Sequence, residues 1–225
     1  MKDKKRMFGI MSVTIVCFLI MAVIDGFIKP DYFIKSAWKI LFFLALPLLY
    51  ALFDKKVDIK GVFRANVKGI KIAFALGISV FVIILSAFFA LRGVFDFTNI
   101  TKALENNVGV SKNNFIFVST YIAFVNSFLE EFLFRGFAFL KLKEVMNVKY
   151  ASVFSAAVFS LYHVAIMTGW FSLFPFLLVM IGLFLGGLIF NYLNFKFDNI
   201  YSSWLVHMFA NFAINIIGFI LFGVI

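Results

Sequence analysis

Seven long apolar runs, at 8–28, 33–53, 71–91, 115–140, 150–168, 171–193 and 200–225, alternate with short polar stretches. Each is close to or beyond the roughly 20 residues that cross a bilayer core, and so predicts a membrane helix. The fourth and seventh exceed what a span needs, which predicts tilt, a kink or projection into water. The seventh also carries break points at Asn215 and Gly218, so seven or eight helices are expected. The fold class is all-α, a polytopic transmembrane helical bundle. It reads as one integral membrane domain over 1–225, with the chemistry-bearing motifs in 115–225.

Composition sharpens this picture. Of 225 residues, 64 % are hydrophobic and 14 % charged, and 35 are Phe. A soluble domain is nearer half apolar and a quarter charged. A soluble enzyme, a disordered chain and a disulfide-rich secreted domain are excluded. The single cysteine, Cys17, can close no internal disulfide.

The net charge of +10 reads as basic loops that hold membrane helices in orientation. No loop interleaves basic and aromatic residues as a nucleic-acid surface does, so no nucleic-acid partner is expected. The first run follows Lys2, Lys4, Lys5 and Arg6 without a small-residue cleavage site, and reads as a retained helix. With the N-terminus cytoplasmic, fourteen Lys and Arg fall inside. These are Lys2, Lys4, Lys5, Arg6, six between Lys55 and Lys71, Lys141, Lys143, Lys149 and Lys196. Six fall outside: Lys29, Lys35, Lys39, Arg92, Lys102 and Lys112. The Phe/Ile/Lys/Asn-rich composition points to a low-GC bacterium, hence to a multi-pass plasma-membrane protein. The inner 54–70 loop intersperses Val57, Ile59, Val62, Phe63 and Val67 with basic residues, and is expected on lipid headgroups. The 92–114 segment reads as an exposed outer connection.

Ionisable residues inside a span are costly and default to function. Helix four carries Glu130, Glu131 and Arg135, helix five His163, and helix seven His207 and Asn211. Residues four apart share a helical face. Ser127, Glu131 and Arg135 form one row, with Asn126 and Glu130 beside it. Ser152, Ser155, Phe159 and His163 form a stripe on helix five, and Ser203, His207, Asn211 and Asn215 another on helix seven. Facing one another, these rows make one polar site. Glu131 and Arg135 have ion-pair spacing and read first as a structural lock. Glu130 has no cation at i±4 and reads as an acid or base. By the orientation above, both glutamates are expected toward the cytoplasmic end of helix four. Asp25, Lys35 and Lys39 lie near helix ends and are expected to snorkel.

One carboxylate, two imidazoles and an amide suit water activation and oxyanion stabilisation, that is, a hydrolase without a Ser or Cys nucleophile. Glu130, His163 and His207 could also hold Zn²⁺. No His-Glu-x-x-His is present, and a metal would leave no separate base, so the metal-free version is favoured.

Glu130-Glu131-x-x-x-Arg135, Phe159-x-x-x-His163 and His207-x-x-x-Asn211, in that order on hydrophobic helices, resemble the CPBP family of intramembrane proteases (CAAX proteases and bacteriocin-processing proteins, or Abi). The resemblance covers residues 130 to 211; the first 110 or so match only as hydrophobic helices. It implies an intramembrane endopeptidase opening toward the cytoplasm, acting on a peptide or protein substrate. It makes Glu130 the general base with His163 beside it, His207 and Asn211 the oxyanion hole, and Glu131 and Arg135 supporting residues. It carries both a glutamate-type and a zinc-dependent version. Bacterial relatives are linked to bacteriocin immunity and peptide maturation. The competing readings are a non-catalytic immunity or partner-binding protein of the same fold, and a small proton-coupled transporter, for which no inverted repeat is found.

Overall fold

The computed structural model describes residues 3–225, Val108 by its backbone alone; Lys2, counted above on the inner side, lies outside the described residues. Seven helices are long and apolar enough to cross a membrane: α1 (Lys4–Ile28), α2 (Tyr32–Phe53), α3 (Val67–Leu91), α5 (Phe115–Val145), α6 (Val148–Met167), α7 (Leu173–Phe197) and α8 (Tyr201–Leu221). An eighth, shorter helix, α4 (Thr98–Val108), connects α3 to α5. There is no strand among the described residues. The chain is a multi-pass membrane protein. Many large apolar side chains stay exposed on the bundle's outside, Phe33, Phe53, Phe74 and Ile181 among them, as a lipid-facing surface requires.

The helix starts follow local capping. Asp31 accepts from the amides of Phe33 and Ile34 at the head of α2, and Asn66 accepts from Gly69 at the head of α3. Both supply the acceptor that a first turn lacks. Where helices approach closely, side chains are small, because packing rather than apolar burial draws helices together in lipid. A Cβ at Gly77 of α3 would lie 2.5 Å from the Phe209 ring of α8. One at Gly187 of α7 would lie 3.0 Å from Ala156 of α6.

Three expectations change. The last helix does not break at Asn215 or Gly218: α8 runs unbroken, and Asn215 gives its side-chain amide to the Ser119 carbonyl of α5 at 2.9 Å. The 92–114 segment contains α4, closed by Gly109 in the left-handed conformation (φ 64°). Of the apolar residues expected on lipid headgroups in the 54–70 segment, Val67 is exposed at the head of α3 but the others turn inward. Val57, Ile59 and Val62 are buried in the main core. Phe63 stacks on Phe132 at 5.8 Å between ring centres, and the Val62 carbonyl accepts from the Ile200 amide at 3.0 Å. The loop turns under the bundle because that end of the helices offers aromatic surface to pack on.

Below this floor and above it the bundle differs. Phe132, Phe134, Phe137, Phe139 and Leu140 of α5 fill the half nearer the N-terminus and are almost wholly buried. The other half encloses a cavity of about 1570 Å³.

Candidate active site

At the inner end of that cavity the polar rows meet. Glu130, near the midpoint of α5, is 2 % exposed. Its Oε2 lies 4.0 Å from His163 Nε2 of α6 and 3.7 Å from His207 Nε2 of α8. The outer nitrogens of both rings are engaged. His163 Nδ1 is 2.8 Å from the Phe159 carbonyl. A carbonyl only accepts, so Nδ1 carries the proton. His207 Nδ1 is 2.9 Å from Glu131 Oε1. Both rings thus present Nε2 to Glu130, at separations that one bridging water closes.

The other oxygen of Glu130 is occupied. Lys39 Nζ of α2 lies 2.5 Å from Glu130 Oε1 and 2.5 Å from Asn126 Oδ1, and Asn126 Nδ2 donates to the same Oε1 at 3.0 Å. Lys39 is 2 % exposed and stands 4.8 Å from the centre of the Tyr162 ring. Two expectations are corrected here. Glu130 does have a cation, supplied by another helix rather than by its own. Lys39 does not snorkel: it lies roughly 10 Å along α2 at the usual rise and turns inward. Asp25 and Lys35 do not reach water freely either; they pair at 2.6 Å, with Asp25 buried. Lys39 is a residue that sequence reasoning missed. The available signal was a lysine about two turns inside an apolar helix, four residues from another lysine.

Glu131 and Arg135 are both wholly buried, 3.5 Å apart. The guanidinium lies 3.9 Å from the centre of the Phe159 ring, a cation–π contact across to α6. The α5 backbone widens to i→i+5 winding over Ile122–Asn126 and Glu131–Lys141, on either side of the single α turn Ser127–Glu130. Such wide turns recur at functional sites, where they re-aim side chains. Glu130 meets Lys39 of α2 and the Nε2 atoms of both histidines, on α6 and α8, whereas Glu131 meets Arg135 of its own helix and His207 Nδ1 of α8. The glutamates stand at mid-helix rather than toward either end, where the sequence led one end to be expected.

The stripes face the interior. Ser155 bonds the Phe134 carbonyl and Asn191, and Ser203 accepts from Asn194 at 2.8 Å. Asn211, one turn beyond His207, donates to the Ile122 carbonyl at 3.2 Å and lines the cavity. The structure therefore brings Glu130, Glu131, Arg135, His163, His207 and Asn211 to one centre. No three His, Cys, Asp or Glu side chains among the described residues are grouped closely enough to hold an ion, and Lys39 already places a cation on Glu130.

No curated protein and no solved structure matches the chain. Residues 112–213, just under half of the chain, match the family described as type II CAAX prenyl endopeptidase Rce1-like. That stretch holds every motif residue from Glu130 to Asn211 and none of α1 to α4, so Lys39 lies outside it. Over residues 112–213 the chain is thus similar to the Rce1-like CAAX proteases, in agreement with the family its motifs resemble.

Proposed function

We propose that the protein hydrolyses a peptide bond inside the membrane with a water held between Glu130 and the two histidines. The observation that carries this reading is the position of Glu130 Oε2, 3.7 and 4.0 Å from the two Nε2 atoms at the closed end of a largely apolar cavity. Glu130 takes a proton from the water as its oxygen attacks the carbonyl carbon of the substrate. His163 Nε2 orients the water by accepting its second hydrogen. The carbonyl oxygen becomes an oxyanion, met by the Asn211 amide and by His207 Nε2–H. His207 donates there as a ring protonated on both nitrogens, with Glu131 balancing its charge. Collapse breaks the C–N bond, and the proton held by Glu130 leaves on the amine. Lys39 and Asn126 hold the idle oxygen of Glu130 and so aim the reactive one. Arg135 fixes Glu131. No step requires a metal. The mostly apolar wall favours a peptide with an apolar segment or lipid anchor.

The test uses the purified protein in detergent and an internally quenched peptide bearing an apolar anchor, made with and without a prenyl group. Glu130→Gln and His163→Ala should each lower the cleavage rate of the folded protein about 10²–10⁴-fold, as loss of general acid–base catalysis does; His163→Ala should leave expression and melting nearly unchanged, whereas Glu130→Gln strands the buried Lys39 ammonium and should also lower the melting temperature. A metal chelator should leave the wild-type rate unchanged. Equal loss of fold and activity would reduce the cluster to a structural polar core; inhibition by chelator with recovery on adding Zn²⁺ would restore the metalloprotease.

A second reading draws on the Lys39–Glu130 pair, since that carboxylate is already satisfied. It is a non-catalytic protein that binds a bacteriocin or another partner in the same cavity. A Glu130→Gln variant that still protects cells from the bacteriocin would favour it.

A further inference from the structure

We infer that Asp25 and Lys35, a second buried ion pair, are positioning residues that keep Lys39 on Glu130. Their effect on rate rests on the catalytic reading above, and their coupling to that carboxylate on geometry alone.

Lys35 and Lys39 stand four residues apart on α2 and both line the cavity. Their side chains are 12 % and 3 % exposed. Like charges at this spacing repel, and away from water the repulsion is weakly screened. Each lysine therefore needs a carboxylate of its own. Two other helices supply one each. Asp25 of α1 lies 2.6 Å from Lys35 Nζ, and Glu130 of α5 lies 2.5 Å from Lys39 Nζ. These two are the only acids among the cavity-lining residues. Lys29, the remaining lysine of the wall, is spent at the rim on Asn107 Oδ1 at 3.1 Å. Among the described residues the Asp25 oxygens find no hydrogen-bond donor, so the ion pair with Lys35 is what answers that charge. Lys39 meets the face of the Tyr162 ring, not its hydroxyl.

The backbone is built around the same four charges. α1 widens to i→i+5 winding over Ile24–Ile28, which contains Asp25. α2 widens over Leu41–Ala45, just past Lys39, and α5 widens on both sides of Glu130. Wide turns re-aim side chains, and here they do so on each helix that brings a charge to this wall.

The outer pair and the inner pair therefore depend on each other. Without Asp25, the one acid left on the wall is Glu130, and two ammoniums contend for it. Without Lys35, Asp25 faces Lys39, one turn along α2 and about 6 Å away at the usual rise. Either loss pulls Glu130 or Lys39 from the arrangement in which Glu130 Oε2 faces both histidines.

The experiment is a pair of double-variant cycles on the purified protein. With the quenched peptide, Asp25→Asn and Lys35→Gln should each lower kcat about tenfold, a part of the roughly 10²-fold that a 1 Å misplacement costs, with KM unchanged. Asp25→Asn/Lys35→Gln removes both charges, leaves Lys39 its own acid, and should regain nearly the wild-type kcat. Losses that multiply in the double variant would overturn the inference, and so would a loss carried by KM, which makes Lys35 a substrate contact. Thermal unfolding reads the coupling without cleavage. Lys35→Gln and Glu130→Gln each strand a buried charge and should lower the melting temperature. Lys35→Gln/Glu130→Gln leaves Asp25 and Lys39 to neutralise each other, and should lose less than the two single losses together. If a single variant does not fold, recovery of folding in the double variant is the same result. Additive losses would make the pairs independent and overturn the inference. A wild-type protein that cleaves no peptide refutes the catalytic reading, while the unfolding cycle still decides whether the four charges act as one.

Discussion

The two halves of this bundle are made of the same seven helices but filled differently. In the half nearer the N-terminus, α5 is buried on all sides: every residue from Phe132 to Leu142 is buried, and a loop folds in beneath. In the other half the same helix lines a cavity of about 1570 Å³. Glu130 and Glu131 mark the boundary. The filled half makes a rigid floor, and the hollow half leaves room for a substrate. Adjacent side chains on one helix thereby acquire different work. Glu131 joins the packed layer through Arg135 and His207, and Glu130 faces the hollow.

The largest effect short of removing Glu130 itself should come from the cation at this boundary. If Lys39 aims Glu130, Lys39→Met lets the carboxylate turn, and a displacement of about 1 Å in such a group costs on the order of 10²-fold in rate. The loss should appear in kcat with KM unchanged, because the ammonium of Lys39, though at the cavity wall, is spent on the Glu130 carboxylate. Lys39→Arg should recover much of it. A rise in KM alone would instead make Lys39 a substrate-binding group.

Next in size is a test of the filled half. Phe132 is fully buried and stacked on Phe63, so Phe132→Ala should cost about 3–5 kcal/mol of stability. Thermal unfolding of the purified protein checks it. The fraction still folded should keep the wild-type kcat, since Phe132 does not line the cavity. A stable variant with reduced kcat would break the division between floor and chamber.

These differences bear on how far the sequence could be read. The seven spans were legible because length and apolarity alone decide them. So were the polar rows, since 3.6-residue periodicity assigns His207, Asn211 and Asn215 to one face. Lys39 was not, because the rule that excuses charges near helix ends depends on which way the side chain turns, and only its meeting with Glu130 from another helix fixes that. Val57, Ile59 and Val62 were misplaced for a related reason. A basic loop with apolar residues looks the same whether those residues enter lipid or a protein floor. The cavity itself was illegible as well, since periodicity tells which face of a helix points inward but not whether the interior there is filled.

Two neighbouring glycines on α7 test the contrast at its finest grain, with the smallest expected effect. A Cβ at Gly187 would meet Ala156 at 3.0 Å and the Arg135 guanidinium at 3.5 Å, whereas one at Gly186 meets nothing within 4 Å. Gly186 lines the cavity; Gly187 is buried against α6. Gly187→Leu must therefore spread α6 from α7 and disturb Arg135, at roughly the 1–3 kcal/mol of an overpacked core. Gly186→Leu should fold as the wild type does and lose only chamber volume. Its signature is a higher KM for the bulkier, prenylated form of the quenched peptide, with kcat and melting temperature unchanged. If the two variants melt alike, α7 is not the wall that divides packed from hollow. If Gly186→Leu leaves KM untouched for both peptides, the substrate enters along another helix.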